Sequence, residues 1–447
     1  DGQRVIYDHW EDGFDAQIND PSQTTTDVWG DNNPDNGMPP GYTTDVLSAG
    51  DIIILNNLVD TTGWPTTPKV IKYDGGDKLA STEAIAVTRT SWASGSGTLH
   101  GGSVEMLDTS IWGTSYDVPA DATVQANDFD YANIAVMASQ DHTDIYRNVS
   151  YVATIDEGQS YLFTETQIAV GDKITASAPV QANFLTGDIG SNYESSWLTL
   201  YPYDLLSSNY YAPVNSQGGV TTRVFVHNPG TSSITVNWET TAGSQTALTV
   251  PAGGTRSADM PTTGTGARFY TSGAVFQAIS IINSGGQAND WGYTLIPANQ
   301  LTQQAMVGWG VGRDPTSSTN PSENGSPVWV VAVGSGSMSV CADYDGDGQG
   351  ALTDNNGHRY DQLVTLINLQ RAVIYDSDGD QTGMIVYLCN GSEAGNVNKI
   401  AVAWGQDPAT ASASAPGLDV GTSVPPLPNF TAIKGAELTG DINGDGK

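Results

Sequence analysis

Positive charge is what this sequence has least of. Lys and Arg number 16 against 49 Asp and Glu, a formal net charge of -33, which argues against nucleic acid or anionic lipid as a partner. Cations are the natural counter-charge. Charged residues make up only 15% of the chain, below the roughly 25% of ordinary globular proteins, so Gly, Ser, Thr and Asn carry the surface, as in secreted β proteins. No run of about 18 apolar residues occurs, which leaves no membrane-spanning helix and no direct membrane insertion. A basic start with an apolar stretch behind it is missing too. The chain opens at "DGQRVIYDHWEDG", as a processed or excerpted segment would.

Cysteine is scarce. Cys341 and Cys389 are the only two, and both sit in strand-like segments, "SMSVCADY" and "MIVYLCNG". One disulfide between them is geometrically open, and two free buried thiols are the alternative. Enzyme signatures are also absent: His-Glu-x-x-His, Gly-x-Ser-x-Gly, the phosphate loop and the dinucleotide fingerprint do not occur. His100, His142, His227 and His358 are scattered singly. The one acid/base cluster, "DHWEDGFD" with Asp8, His9, Glu11, Asp12 and Asp15, reads first as a hydrogen-bonded or cation-stabilised loop. A glycoside hydrolase using its carboxylates is the remaining enzymatic reading.

Helical periodicity is almost missing, whereas period-2 apolar runs such as "DIIILNN", "NIAVMAS", "TRVFVHNPG", "SITVNWET", "VWVVAVG" and "KIAVAWG" recur between Gly, Asn, Asp and Pro. The chain is all-β. Residues 361–373 fit either a short helix or strands. With 447 residues, several units are needed, and self-comparison supplies them. "GDKLASTEAIAV" begins at Gly76, "GDKITASAPVQA" at Gly171 and "GARFYTSGAVFQA" at Gly266, 95 residues apart, with a weaker copy, "GNVNKIAVAWG", at Gly395. Connectors with a Tyr and then a Pro, "GTSYDVPA" and "SNYYAPV", recur between them. These intervals predict tandem antiparallel β repeats of about 95 residues over 1–120, 121–214, 215–310 and 311–430, then a linker at 431–447. Each repeat is either a β-sandwich or a large blade of a propeller-like ring.

The acidic residues are patterned. "DYDGDGQGALTD" places Asp343, Asp345, Asp347, Gln349 and Asp354 at the ligand spacing of a calcium loop, with Gly348 at the sharp turn. It lacks an apolar residue at Gly350 and ends in Asp rather than Glu, and strands rather than a helix precede it. The pattern predicts a rigid calcium loop on a β scaffold. "DSDGDQTG" adds Asp376, Asp378 and Asp380, and "DINGDGK" adds Asp441, Asn443 and Asp445. Metal-free Asp-Gly turns are the plain alternative for each. Aromatics cluster at 191–211, where Tyr193, Trp197, Tyr201 and Tyr203 make either core packing or a platform for surface glycans. Sequons begin at Asn148, Asn324, Asn390 and Asn429.

The stretches "ITASAPVQANFLTGD" and "LYPYDLLSSNYYAPV" look like the repeated signature of the IgGFc-binding-protein N-terminal family and its bacterial relatives. "NDWGYTLIP", "MVGWGVGRDP", "DYDGDG", "YDSDGDQTGM" and "AVAWGQDPATA" resemble the head regions of very large bacterial surface proteins that continue into β-sandwich stalks. "GAELTGDINGDGK" resembles the entry into such a stalk. The resemblance implies a secreted or cell-surface role in adhesion or extracellular structure, with neighbouring stalk domains, self-association, or surface glycans or proteins as partners. It carries over no catalytic residue.

Overall fold

The computed structural model describes residues 3–37, 45–55, 76–91, 102–125, 128–187, 195–217, 219–283, 291–310, 326–376, 378–392, 397–407 and 420–427. Strands dominate, joined by short 3₁₀ turns, and no α-helix occurs among the described residues. The ambiguous 361–373 stretch forms two strands, Gln362–Ile367 and Arg371–Ile374. Its β-branched side chains suit a pleated sheet, and Leu369 in the left-handed region at φ 64 makes the turn between them.

Three units of one topology follow each other. In the first, Gly113–Asp117 and Thr143–Arg147 pair with the leading part of the long strand Lys173–Gly187, and Ser150–Ile155 lies beyond. The trailing part pairs with Tyr131–Ala138 and Ser195–Thr199, and Ser160–Phe163 forms the edge. A register shift between Thr175 and Val180 lets one strand serve both halves.

In the second unit two strands replace that long one. Ala267–Tyr270 pairs with Asn209–Ala212 and Ile234–Thr240, which also holds Leu248–Val250. Facing them run Thr255–Asp259, Thr221–His227, Gln277–Asn283 and Trp291–Thr294. The third unit repeats this with Gln304–Met306, Ile385–Cys389, Ser337–Asp343 and Gln362–Ile367. Its second sheet is Arg371–Ile374, Val328–Val333, Lys399–Gly405 and Gly421–Ser423. The first strands start at Gly113, Asn209 and Gln304, 96 and 95 residues apart.

The interval read from sequence therefore holds for these three units, but its anchors need correction. Gly76 leads into Lys78–Ser81, which pairs with Val5–Asp8 and Asp27–Trp29 in a separate N-terminal sheet. Gly395 lies outside the described residues. The strand after it, Lys399–Gly405, occupies the place of Gln277–Asn283 rather than of Ala267–Tyr270. The Tyr-then-Pro connectors are the first strands themselves, so the expected boundaries after 120, 214 and 310 fall just behind the first strand of each unit. The reason is visible in the tyrosines. Tyr116 and Tyr210 are buried and donate to the carbonyls of Val180 and Phe276, 2.6 Å each. They also accept the N–H groups of Gly113 and Ser207. The linker expected at 431–447 lies outside the described residues.

Each unit is a sandwich. In the second, Tyr210, Val236, Val250 and Phe269 meet Val224, Val226, Ala278 and Ile282 across one core. The sandwiches also close into a ring, so the two arrangements left open by the sequence coexist. Ser195–Thr199 touches Trp291–Thr294, which touches Gly421–Ser423, and Gly102–Glu105 of a hairpin with Thr88–Ser91 touches the first and the last of these. Successive second sheets are thus buried on both faces. Phe225, Ile279 and Ile281 point into the first unit's core, and Trp329 and Ala403 into the second's. Double burial explains why these strands read as unbroken apolar runs rather than strict alternation.

A candidate cation centre between two acidic loops

Asp343 ends one strand of the third unit directly opposite Ile385, the first residue of its neighbour. The loop after Asp343 and the loop before Ile385 therefore leave the same end of one sheet. Two acidic windows that read as separate loops become one cluster. Carboxylate oxygens of Asp345, Asp376 and Asp378 all lie within 4.8 Å of one another. Asp376 is buried, while Asp345 and Asp378 are exposed.

Glycines make the approach close. Gly346 and Gly348 have φ of 66° and 68°, a region costly for other residues, and a Cβ on Gly346 would stand 2.5 Å from the Gly383 carbonyl. Asp343 Oδ2 accepts the Gly348 N–H at 2.9 Å, which winds the first loop inward. In the second loop Asp376, Asp378 and Asp380 each accept the N–H two residues ahead, at 3.3, 2.8 and 2.9 Å. These turns fix the backbone and aim the carboxylates.

The electrostatics are unfavourable without a counter-ion. Desolvation, nearly full for the buried Asp343 and partial for the exposed Asp345, pushes both above the usual carboxylate range; Asp347 and Asp361 reinforce the shift for both, joined for Asp345 by Asp378 and Asp380. Asp343 is 6% exposed, and its Oδ1 is buried with no hydrogen-bond partner among the described residues. A buried carboxylate oxygen without a donor is costly unless a proton or a metal ion satisfies it. Hard carboxylate oxygens from two loops suit calcium.

The expected ligands divide accordingly. Asp345, Asp376 and Asp378 converge; Asp343, Asp347 and Asp380 belong to the same acidic loops but not to the converging trio. Gln349 is exposed and its N–H donates to Asp347. Asp354 does not close the loop as a twelfth-position ligand. It accepts the N–H groups of Asn356 and His358 and lies 3.2 Å from His358 Nδ1, because residues 352–360 fold into a small hairpin of their own. Asp441, Asn443 and Asp445 lie outside the described residues. Asp361, which accepts the Tyr344 N–H at 3.0 Å, adds a carboxylate that the sequence reading missed. Nothing in its local spacing marks it; the pairing of Gln362–Ile367 with Ser337–Asp343 brings it there.

Cys341 and Cys389 are disulfide-bonded, with Cα atoms 6.0 Å apart, inside the usual range. The bridge lies on the outer face of the same sheet beside Tyr360 and Tyr387, and both acidic loops lie within the segment it closes.

Other candidates resolve differently. Trp197 and Tyr201 are buried in two apolar clusters, so they offer no platform to a surface sugar. A Cβ on Gly102 would meet the Trp197 ring at 2.3 Å. Tyr203 is half-exposed under the Lys173 ammonium, and Tyr193 lies outside the described residues. In "DHWEDGFD", Asp8 accepts the Asp15 N–H, and Asp15 accepts from Ser22 and Thr26. The Thr26 hydroxyl and the Ser22 N–H hold Asp15 below the usual carboxylate range. These carboxylates staple a loop. A cavity of about 240 Å³ between the first two units is lined in part by Thr123, Val170, Thr255 and Arg256. Thr255 contacts the His227 ring, but its hydroxyl donates to the Pro119 carbonyl, which occupies the proton a nucleophile would give up.

Comparison with known proteins adds little. No family model matches the chain, and no curated protein does. Among solved structures it is similar to that of a Streptomyces avermitilis alpha-L-rhamnosidase complexed with L-rhamnose, at 8% identity and a TM-score of 0.13. That match covers 62% of this chain and 42% of the other. A likeness this slight carries no argument about fold or activity.

Proposed function

We propose that this chain is a non-enzymatic structural protein of the cell surface or of an extracellular filament, a β scaffold rigidified by bound calcium. The convergence of Asp345, Asp376 and Asp378 beside the unpartnered Asp343 Oδ1 carries the reading. An ion bound there offsets the repulsion among the carboxylates and ties two loops into one body. The acidic composition, the disulfide and the resemblance to IgGFc-binding-protein N-terminal-like head regions support a location outside the cell. Thermal melting and protease resistance with calcium and with EDTA test it. If neither changes, the calcium scaffold is rejected.

Self-assembly is a form of the same proposal, favoured by one observation. Ser150–Ile155 is an edge strand, and beside it Val149 is 94% exposed with φ at 66° while Tyr151 is 60% exposed. An exposed edge flanked by apolar side chains is a template for strand addition. Sedimentation across a concentration series, with and without calcium, checks it. A strictly monomeric protein in both conditions removes the filament and leaves the scaffold.

A further inference from the structure

The two acidic loops do not face only each other. A turn of the N-terminal region rests on them. Gly50, at φ 86°, comes so close that a Cβ there would stand 2.9 Å from the Asp345 carbonyl and 3.0 Å from the Asp347 N and Cα atoms. Gly383, just after the second loop, presses on the Asp345 carbonyl in the same way and borders Ile52. The turn is closed locally, since the Asp51 N–H donates to the Ser48 carbonyl and the Asp51 carboxylate accepts the Ser48 N–H. Its two flanks are anchored elsewhere. Leu47 and Ile53 pack with Val5, Tyr7 and Trp29 in the small core of the N-terminal sheet.

A second contact joins the same two regions. Thr88 Oγ1 accepts the Trp309 N–H at 2.9 Å, and Gly308 leaves no room for a Cβ beside Thr88. Thr88 begins the hairpin that closes the ring of units. The N-terminal region also reaches the first unit, where Lys78 pairs with Glu157 at 2.6 Å and the Trp10 ring lies against Gly158. It therefore spans the junction between the first unit and the third.

We propose that the cation centre is the lock of this closure: a divalent cation at Asp345, Asp376 and Asp378 and the seating of the 47–53 turn on the third unit are one coupled event. The inference rests on the calcium reading above and extends it to a partner surface within the chain. Without the ion, repulsion among the carboxylates drives the two loops apart, and the Asp345–Asp347 backbone is the surface that Gly50 needs. With the ion, both loops hold one geometry, and the turn finds its seat. Coupling of this kind is reciprocal, so a turn that cannot seat weakens the ion by the same factor. The Asp343 Oδ1, buried and without a donor, sits at the root of the loop that the turn covers.

Hydrogen exchange of the full chain in calcium chloride and in EGTA tests the proposal. Calcium is expected to slow exchange in peptides covering 343–347, 376–383 and 45–55 together. Gly50→Val is expected to lower calcium affinity ~5-fold or more, within the usual range of coupling between sites, and to abolish the slowing at 45–55. Asp378→Asn, a change at an exposed position, is expected to remove the slowing at all three places while exchange in 131–138 stays as in the wild type. If the acidic loops slow and 45–55 does not, the lock is overturned and the calcium scaffold stands. If the loops themselves do not slow, the calcium reading fails and the lock falls with it.

Discussion

The second and third units share one topology and differ in how the outer face of their first sheet is held. At one cross-strand position the second unit places Glu239 opposite Arg268, a 3.2 Å ion pair whose guanidinium also lies over Tyr270. At the equivalent position the third unit places Cys341 opposite Tyr387 and bonds it diagonally to Cys389. A partly solvated ion pair of this kind contributes about 0–1 kcal/mol, whereas a disulfide contributes about 2–4 kcal/mol. The stronger staple sits on the sheet whose end carries the crowded carboxylates. The unit whose loops carry the repelling carboxylates is thus the one with the covalent brace.

The most disruptive test of that comparison is a residue both units share. Trp291 packs against Gly405 and Gly421 and donates to the Gln406 carbonyl at 3.0 Å. Trp291→Ala should cost about 3–5 kcal/mol and expose both units in hydrogen exchange; loss confined to the second unit would mean that the two are independent. Next in size, replacing Cys341 and Cys389 by Ser should cost about 2–4 kcal/mol in chemical denaturation, and Glu239→Ala about 0–1 kcal/mol. Equal losses would break the comparison.

Calcium removal comes next. At a free concentration one hundred times its dissociation constant, calcium should add about 2.7 kcal/mol, and Asp378→Asn should erase that gain. The pH dependence should show the reason. Asp343 and Asp345 have raised folded-state values, so in EGTA their contribution is most favourable when they are protonated and is lost as pH rises through those values. With calcium the ion holds the charged form, so melting temperature should climb over the same range. A parallel response in both conditions would exclude the carboxylates as ligands.

A separate test concerns Glu105 in the ring-closing hairpin. It is 3% exposed, accepts from Thr88 at 2.8 Å, and burial pushes its carboxyl up to about 8. The neutral acid is thus the stable form at pH 7, and stability falls as pH rises from about 4.5 to about 8 and levels off above it. Glu105→Gln should be near neutral at about pH 4 and increasingly more stable than the wild type as pH rises towards 8, as read by thermal melting. A wild-type pH profile in that variant would place the dependence elsewhere.

Strand content, the 95-residue interval and the Asp spacing were legible in the sequence because each is a local pattern: alternation, turn residues, and oxygens at every second position. The acidic cluster was only half legible. Asp354 has the right position along the chain and the wrong place in space, because 352–360 turn back on themselves. Asp361 has no motif, and strand pairing alone brings it beside the first acidic loop, outside the converging trio. Trp197 and Tyr201 read first as core, with a sugar platform as the alternative, since burial depends on what lies across the sheet rather than on the strand itself.

By itself the sequence determined an acidic, all-β repeat protein, because net charge and period-2 patterning are sums over local residues. Only the tertiary structure decided that two Asp loops form one centre, that the sandwiches close into a ring, and that Gly50 rests on Asp345. Those facts depend on strand pairing between distant segments, and no local spacing encodes which distant segment will be the neighbour.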